Sequence, residues 1–472
     1  MIKMIHKFTM NGVYIAMDIN GGSVHVLDEI TYDMLGFYEE IRDGKRSLQE
    51  AMEKLSRYPQ EELASAYDEI RTLEEDGLLY TEDAYETMDF MKNRKPVVKA
   101  LCLNIAHDCN LMCKYCFAKQ GDFGGKKCLM PLETGKKALE YLVKNSGSRR
   151  NLEVDFFGGE PLMNFQVVKD LVYYGRELEK EYHKNFRFTI TTNGVLLKEE
   201  AIEFINTHMD NAVLSLDGRK QINDDMRLTL TGKGSYDVIV PKYQKLIEKR
   251  GNKSYYIRGT FTRESLDFSE DVKHFKELGF VHTSMEPVVS SEENPYAIRE
   301  EDLPKILEEY EKLAVYYADL KEKKDPFSFF HFMVDLTQGP CVIKRISGCG
   351  AGTEYLCITP EGDLYPCHQF VGNEAYKMGN LYDEELTLPK EMQAMFKEAH
   401  VYHKEDCKTC FSKFYCSGGC HANALSFNDD ILKPYKIGCE MQRKRLECAI
   451  MVEAKRMLSE EEEAPEEKVL FL

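Results

Sequence analysis

The positions of the cysteines constrain this chain more than any other feature of its sequence. Of fifteen cysteines, five lie between Cys102 and Cys128, ten lie between Cys341 and Cys448, and none lies between these two groups. The first residues lack the long apolar stretch of a secretory signal, so we expect a cytoplasmic protein. In a reducing compartment, clustered cysteines are more often metal ligands or catalytic groups than disulfides. The sequence therefore predicts two separate metal-binding regions.

Length, charge and hydropathy narrow the class of protein. At 472 residues the chain is long enough for two or three domains. Its formal net charge of −18 disfavours nucleic acid as a partner. No apolar run reaches the roughly 18 residues of a membrane span, so we expect no membrane partner. Residues 451–472 are predicted to form an acidic tail, with a solvated end from Ser459 to Glu467.

Residues 1–82 have the pattern of a small, separate module. Three strand-like runs are separated by Asn-Gly and Asn-Gly-Gly turns and cover Ile5–Met10, Val13–Asp18 and Ser23–Leu27. Three helical patterns follow, over 30–41, 48–55 and 61–73. This order is typical of a winged-helix-like module, although no basic recognition helix is present. Residues 83–97 are predicted to be a polar linker.

Residues 98–310 alternate between apolar strands and amphipathic helices, which predicts an α/β fold. Six strand–helix units are visible, with strands at 100–105, 152–157, 186–191, 211–216, 255–261 and 281–287. Such alternation implies parallel strands with right-handed crossovers, and six units are fewer than the eight of a complete barrel. We therefore expect a partial (β/α)6 TIM-like barrel, followed by a bridging helical region over 311–340 and a cysteine-rich domain over 341–450.

Three cysteines of the first group, Cys109, Cys113 and Cys116, follow the first barrel strand within a single short loop. In such folds, the loop after the carboxyl end of a strand is where ligands bind. Three thiolates can hold three corners of a cubane iron–sulfur cluster and leave one iron open to a ligand. Zinc is the alternative, with His107 or Cys102 available as a fourth ligand.

Later barrel strands also end in polar motifs. These are Phe-Gly-Gly-Glu-Pro at 157–161, Thr-Thr-Asn-Gly at 191–194 and Ser-Leu-Asp-Gly at 215–218. Together with the CxxxCxxC loop, in this order, they resemble the radical S-adenosylmethionine superfamily over residues 98–286. An alternative reading of each short motif alone is an ordinary loop or a helix cap.

The resemblance implies specific roles for these residues. Cys109, Cys113 and Cys116 would bind a [4Fe-4S] cluster whose fourth iron is chelated by S-adenosylmethionine. The amino group of the cofactor would be held by Gly158, Gly159 and Glu160, and its ribose by Ser215, with Asp217 and Arg227 nearby. Reductive cleavage of this cofactor gives a 5′-deoxyadenosyl radical that abstracts a hydrogen atom from the substrate.

The spacing of seven cysteines in the second group resembles the SPASM extension of peptide-modifying radical enzymes. The resemblance implies two further [4Fe-4S] clusters, which makes three in all. One would be bound by Cys349, Cys367 and Cys420, and the other by the set Cys407, Cys410, Cys416 and Cys439. Cys341 is a candidate fourth ligand of the first of these; otherwise one iron is open to a substrate thiolate. Without the resemblance, CxxC spacing would favour zinc about equally.

The remaining cysteines and one histidine need separate readings. Cys102, Cys357 and Cys448 lie in strand or helix patterns and are predicted to be packed, and Cys128 is predicted to be a surface or loop thiol. In sulfatase-maturating relatives an aspartate after a Tyr-Pro-Cys element is the catalytic base. Here His368 stands in that place, which weakens a formylglycine-forming function and makes His368 a candidate base.

Over its whole length, the chain most closely resembles the maturases of SCIFF peptides, which are small cysteine-rich ribosomal precursors. The resemblance implies thioether cross-links between cysteine sulfur and a carbon of an acceptor residue, often threonine. The N-terminal module would be a precursor-peptide recognition element that binds a leader as an added strand. A one-electron reductant such as flavodoxin or ferredoxin would be required. The alternatives are formylglycine formation, carbon–carbon cross-linking and a zinc-binding peptide-capture scaffold without catalysis.

Overall fold

The computed structural model describes residues 4–86, 97–336 and 342–463. The N-terminal part contains the antiparallel strands β1 (Ile5–Met10), β2 (Val13–Asp18) and β3 (Val24–Leu27), in that order across the sheet. Asn11 and Gly12, at φ 49° and 79°, form the turn between β1 and β2, as expected for a two-residue hairpin with Asn-Gly. Three helices follow, α1 (Glu29–Arg42), α2 (Leu48–Lys54) and α3 (Gln60–Glu75). Three strands before three helices confirm the predicted element order.

The six predicted barrel strands are all present and pair in parallel. They are β4 (Ala100–His107), β7 (Asn151–Gly158), β8 (Asn185–Thr192), β9 (Asn211–Ser215), β11 (Ser254–Phe261) and β12 (His282–Pro287). Two short strands, β5 (Leu111–Cys113) and β10 (Arg227–Thr229), form a separate antiparallel pair, and β6 (Cys128–Leu129) pairs with β4. All eight residues of β4 are buried, as is typical of a strand covered on both faces.

The crossover helices of the barrel lie between these strands. They are α4 (Leu132–Asn145), α5 (Phe165–Tyr182), α6 (Glu199–His208), α7 (Lys220–Met226), α8 (Tyr236–Arg250) and α9 (Phe268–Glu277). Their apolar faces pack onto the sheet, with fully buried residues such as Leu139, Leu171 and Phe275 in the largest core. Because all six strands run the same way, their carboxyl ends and the loops that follow meet at one edge.

The sheet extends beyond the predicted barrel at both edges. On one side β13 (Ser328–Phe329) adds in parallel to β12, after the long helix α10 (Leu303–Glu322). On the other side β14 (Tyr355–Ile358) adds in parallel to β4 and is followed by β15 (Asp363–Tyr365) and β16 (Gly379–Asn380). The region 311–340 is therefore not purely helical, and the cysteine-rich region shares the sheet of the barrel. Covering exposed sheet edges satisfies their unpaired backbone groups.

The cysteine-rich region also contains six helices, most of them short. They are α11 (Val342–Ser347), α12 (Lys390–Glu398), α13 (Glu405–Lys408), α14 (Lys413–Cys416), α15 (His421–Asn428) and α16 (Lys436–Glu463). The prediction of an acidic tail over 451–472 is wrong for its first part, because α16 continues to Glu463. Met451, Val452 and Ala454 are buried in the main core. Apolar residues at helical spacing outweigh the acidic composition of this segment.

The predicted linker, 83–97, begins as an anchored segment. Asp83 is buried, accepts a 2.8 Å hydrogen bond from the Tyr402 hydroxyl and lies 3.0 Å from the Lys413 ammonium. Residues 87–96 lie outside the described part of the chain. A buried carboxylate requires a charged partner, and Lys413 of the cysteine-rich region provides it. The prediction of a polar linker is therefore wrong at Asp83, which is fixed in the interior of the protein. No helix in the described ranges is both long and apolar enough to cross a membrane.

Candidate active site

A cavity of about 240 Å³ lies at the carboxyl ends of the parallel strands. Eight of the residues predicted from the sequence line it: Cys109, Cys113, Cys116, Gly158, Gly159, Ser215, Arg227 and His368. These residues come from five separate segments of the chain, and only the fold brings them together. These eight residues alone bring three thiols, one guanidinium and one imidazole into a single cavity.

The cysteine loop is held in place by Arg227. Cys113 on β5 is paired in register with Arg227 on β10. The Arg227 guanidinium donates a 2.9 Å hydrogen bond to the Tyr115 hydroxyl, and that hydroxyl donates a 2.5 Å hydrogen bond to Asp217. Asp217 also accepts a 3.1 Å hydrogen bond from the backbone of Thr260. Asp217, one of the predicted cofactor contacts, therefore lies behind Arg227 and is not part of the cavity lining.

Arg227 lines the cavity and has one hydrogen-bond donor that is not used within the described residues. Its Nε atom is buried and has no hydrogen-bond partner among the described residues. A buried donor without a partner is costly, so a ligand that accepts a hydrogen bond here is favourable. The burial of Asp217 raises its pKa, and the adjacent Arg227 charge opposes this shift. The site fits an anionic group such as a carboxylate.

Two of the three thiols lie in an environment that disfavours bare thiolates. Burial raises the pKa of Cys109 to about 12 and that of Cys113 to about 11, against the opposing charge of Arg227 at Cys113. The nearby Cys116 thiolate raises both values further. Converging thiols of this kind suit a cationic metal centre, which deprotonates its sulfur ligands. The donor set therefore fits an iron–sulfur cluster.

Two glycines allow two loops to cross closely beneath the cavity. A Cβ atom at Gly158 would lie 2.5 Å from the Ala106 carbonyl oxygen, and one at Gly159 would lie 2.1 Å from that of Asp108. Gly158 also has a φ of 116°, which side chains rarely tolerate. Both positions require glycine for this crossing, which brings their backbone to the cavity surface.

The Glu160 side chain is fully buried and does not line the cavity. Its carboxylate accepts hydrogen bonds from the Leu162 amide at 3.0 Å, the Thr192 hydroxyl at 2.7 Å and the Asn193 amide at 2.7 Å. A carboxylate has about four acceptor positions, so three of them are already used within the chain. In this structure Glu160 orders the Thr-Thr-Asn-Gly loop, and Asn193 in turn donates to the Cys109 sulfur at 3.6 Å.

His368 lies on the side of the cavity formed by the cysteine-rich region. Its ring lies 4.8 Å from that of Phe157 and 5.7 Å from that of Phe117, measured between ring centroids. The residue that follows Tyr365-Pro366-Cys367 is thus in the same enclosed space as the three thiols. Its identity therefore bears directly on the chemistry of the cavity.

The structure separates seven cysteines of the second region into two groups. Burial and the adjacent thiolates of Cys420 and Cys349 raise the pKa of Cys367. Burial likewise raises the pKa of Cys407 and Cys439 to about 12, and each has Cys416 and Cys410 as charged neighbours. These are the two ligand sets implied by the family resemblance. Cys341 lies outside the described residues.

A buried lysine between the two thiol groups was missed by sequence reasoning. Lys404 is fully buried, and its ammonium donates a 2.7 Å hydrogen bond to the Gly418 carbonyl. Burial lowers its pKa, whereas Cys407 and Cys420, one from each thiol group, act to raise it. A buried lysine is rare unless it compensates negative charge. The only feature of the sequence that pointed to Lys404 was its position shortly before Cys407. Several charged residues lie near Cys407, so this position did not distinguish Lys404 from them.

Sequence reasoning also missed the charged residues on the far wall of the cavity. Arg258 and Glu286 project from β11 and β12, and Thr260 lies beside them. Glu286 lies 3.2 Å from the His331 ring nitrogen. Burial acts to raise the pKa of Glu286, but His331 and Arg445 lower it more strongly. Charged residues within apolar strands were the signal that could have identified them.

The other cysteines follow their predictions. Cys102, Cys357 and Cys448 are buried, with at most 1% of each residue exposed. Cys102 and Cys357 are paired in register on β4 and β14. Cys128 lies on β6, partly exposed, and its thiol donates a 3.1 Å hydrogen bond to Glu361.

Comparison with known proteins identifies two iron–sulfur domains. Residues 99–241 match a 4Fe-4S single cluster domain, and residues 349–411 match SPASM, an iron–sulfur cluster-binding domain. The first range includes Cys109, Cys113 and Cys116, and the second includes Cys349, Cys367, Cys407 and Cys410.

Three relatives illustrate the similarity. The radical SAM cyclopropyl synthase TigE of Paramaledivibacter caminithermalis is 22% identical over 73% of this chain and 72% of its own. The cysteine-type anaerobic sulfatase-maturating enzyme of Clostridium novyi is 25% identical over 71% and 89%. Structures of SuiB from Streptococcus suis, with S-adenosylmethionine or the precursor peptide SuiA, are 19% and 18% identical. They cover 92% of this chain and 98% of SuiB, with a TM-score of 0.53, and share its fold.

The matched domains, the order of the motifs and the shared fold agree with one another. The chain contains a radical S-adenosylmethionine domain followed by a SPASM domain.

Proposed function

We propose that this enzyme forms intramolecular thioether cross-links in a small cysteine-rich precursor peptide. Each cross-link joins a cysteine sulfur to a carbon of an acceptor residue such as threonine. The observation that carries the proposal is the position of His368, which lines the same cavity as Cys109, Cys113 and Cys116. A residue that can take a proton from a thiol thus lies beside the centre that initiates radical chemistry.

Different residues of the cavity would hold different parts of the cofactors. Cys109, Cys113 and Cys116 would hold a [4Fe-4S] cluster, and the unpartnered Nε of Arg227 would receive the carboxylate of S-adenosylmethionine. The backbone at Gly158 and Gly159 lies where the amino group would bind, and Ser215 would contact the ribose. Glu160 and Asp217 would act from behind, by ordering the Asn193 loop and Arg227. When bound and reduced by one electron, the cofactor supplies the radical that abstracts hydrogen.

The chain's own residues would then orient the peptide and handle its protons. The rings of Phe117 and Phe157 flank His368. His368 would accept the proton of the donor thiol, the role of a general base. Arg258 and Glu286, on the opposite wall, would bind polar groups of the peptide.

The reaction balances as the loss of two hydrogens from the peptide. One C–H and one S–H bond break, and one C–S bond forms. The radical that the bound cofactor supplies would take one hydrogen atom, His368 would accept the thiol proton, and the second cysteine region would hold the centres that take up the remaining electron. That region would hold two further [4Fe-4S] clusters, with Lys404 compensating their negative charge. A flavodoxin-like or ferredoxin-like reductant would supply the electron that starts each turnover.

The N-terminal module would recognise the leader of the peptide. β3 is an edge strand of the three-stranded sheet, and Val26 on β3 is 38% exposed. An extended leader can add to such an edge through backbone hydrogen bonds, while side-chain pockets select its sequence. SuiB, whose structure covers 92% of this chain, has been solved with its precursor peptide. The module in residues 4–82 is therefore our proposed recognition element.

A second candidate function is formylglycine formation, the reaction class suggested by the relative from Clostridium novyi. It would use the same thiols and cofactor contacts. In its favour is the 25% identity over 71% of the chain. Against it stands His368, which occupies the position of the aspartate base in those enzymes.

The experiment uses the anaerobically reconstituted enzyme with a small cysteine-rich precursor peptide, S-adenosylmethionine and a reductant. We expect a mass loss of two hydrogens for each cross-link, a product that resists thiol reductants, and no reaction with Cys113→Ala. Cofactor cleavage with an unmodified peptide would reject the thioether function, as would an aldehyde product. A colourless, zinc-loaded protein that ignores the cofactor would instead support the peptide-capture scaffold.

A further inference from the structure

A second cluster of possible metal ligands lies outside the cavity. His107 at the end of β4, Cys128 on β6 and Glu361 in the turn after β14 converge on one point. Their ligand atoms all lie within 4.8 Å of one another, and none of the three lines the cavity. The proposed cofactors and the reaction leave all three residues without a role.

Three separate segments of the chain build this cluster. His107 and Cys128 are register partners in the antiparallel pairing of β4 with β6, so their positions are fixed by backbone hydrogen bonds. Glu361 comes from the cysteine-rich region, in a turn closed by the 3.0 Å hydrogen bond from the Gly362 amide to the Thr359 carbonyl. The Glu361 carbonyl is also held, by a 3.1 Å hydrogen bond from Asn380. The fold therefore brings the backbones of these three residues together.

The separations of the atoms are close to those of a coordinated ion. The Cys128 sulfur lies 3.1 Å from Glu361 Oε1, and His107 Nδ1 lies 3.8 Å from Glu361 Oε2. Ligands of a tetrahedral zinc ion are about 3.3–3.8 Å apart, given Zn–ligand distances of about 2.0–2.3 Å. Small side-chain adjustments of Cys128 and Glu361 are enough to reach this geometry. Glu361 is half exposed, which leaves the fourth position open to water.

We infer that His107, Cys128 and Glu361 form a zinc site that ties the cysteine-rich region to the first barrel strand. One thiolate, one imidazole and one carboxylate are a ligand set that zinc accepts and that magnesium or calcium does not favour. Zinc at Nδ1 requires the proton of His107 on Nε2, which lies 3.3 Å from the Asn104 side-chain nitrogen. A 180° rotation of that amide presents its oxygen to this proton, as metal-bound histidines commonly require. The ion would stabilise the loop after Cys116 without taking part in the reaction.

The test measures metal content and coordination in the cluster-loaded enzyme, purified with one equivalent of Zn²⁺. We expect about one zinc per chain beside the iron, and an X-ray absorption spectrum with a single sulfur ligand. Cys128→Ser should remove the zinc and leave the iron unchanged. Glu361→Gln should weaken zinc binding at least about tenfold in competition with a chelator. Glu384→Gln, an exposed carboxylate in the same region, is the matched control and should bind zinc normally.

Three results would overturn the inference. Zinc that is absent from the wild-type enzyme, or retained by Cys128→Ser, would exclude the site. A shell of three or four sulfurs would place zinc in an empty cluster site. Loss of zinc from His403→Asn but not from Cys128→Ser would place it at a different group, formed by Glu398, His400 and His403. None of these results depends on peptide modification, so the proposed function stands or fails separately.

Discussion

The two thiol regions of this enzyme differ in what surrounds the sulfur atoms. Cys109, Cys113 and Cys116 line a cavity, beside an arginine whose Nε has no partner among the described residues. None of the described cysteines of the second region lines that cavity, and the buried Lys404 interacts electrostatically with Cys407 and Cys420, one from each of its thiol groups. The difference indicates that the first centre is built to receive a ligand, whereas the second is built to hold charge.

The largest expected effect distinguishes the two thiol regions by whether the loss of a cysteine stops cleavage of the cofactor. Cys113→Ala should remove the first cluster, about four irons per chain, and abolish both cofactor cleavage and peptide modification. Cys410→Ala is the matched variant in the second region, which should lose a similar amount of iron but still cleave the cofactor. Iron analysis and detection of 5′-deoxyadenosine measure these outcomes. Equal loss of cofactor cleavage in both variants would show that cleavage depends on both thiol regions and not on the first one alone.

The next effect concerns how the second region is attached to the N-terminal part. Asp83→Asn should lower the free energy of unfolding by about 3–5 kcal/mol, because it leaves the buried Lys413 without its counter-charge. Glu29→Gln, which breaks the exposed pair with Arg57, should cost less than about 1 kcal/mol. Chemical denaturation of the anaerobic protein compares the two. Similar values for both would mean that Asp83 is not a buried anchor.

A smaller effect tests whether Arg227, in the cavity of the first thiol region, contacts the cofactor. Arg227→Lys keeps the charge but loses the planar group that contacts Tyr115 and faces the cavity. We expect S-adenosylmethionine to bind about tenfold more weakly, equivalent to about 1.4 kcal/mol. Equilibrium binding with the reconstituted enzyme measures this change, and Arg187→Lys, on the exposed surface, serves as the control. Unchanged affinity would exclude Arg227 as a cofactor contact.

The smallest effect tests whether Lys404 compensates the negative charge of the second thiol region. Lys404→Met removes a buried positive charge close to Cys407 and Cys420. A lower local charge favours the oxidised clusters, so their reduction potentials should fall by on the order of 50 mV. The potential of the first cluster should not change. Redox titrations followed by electron paramagnetic resonance distinguish the centres, and an equal shift in all of them would argue for a general structural change.

Much of this architecture could be predicted because its signals are local. The six barrel strands, the Asn-Gly hairpin and the cysteine spacing each depend on a few neighbouring residues. Longer-range relations were missed. β14 contains only four residues, yet it extends the barrel sheet because β4 offers a free edge. Asp83 looked like part of a polar linker because its partner, Lys413, lies 330 residues away in the sequence.

The sequence by itself determined the type of chemistry only through the combination and order of its motifs, because the CxxxCxxC loop followed by the polar strand ends resembles the radical S-adenosylmethionine superfamily. Only the tertiary structure decided which groups face the cavity. It placed Glu160 and Asp217 behind the lining, brought His368 and Arg258 into it, and buried Lys404 between two thiol groups. The physical reason is that ligand type is encoded in each residue, whereas burial, charge compensation and distance depend on segments that meet only after folding.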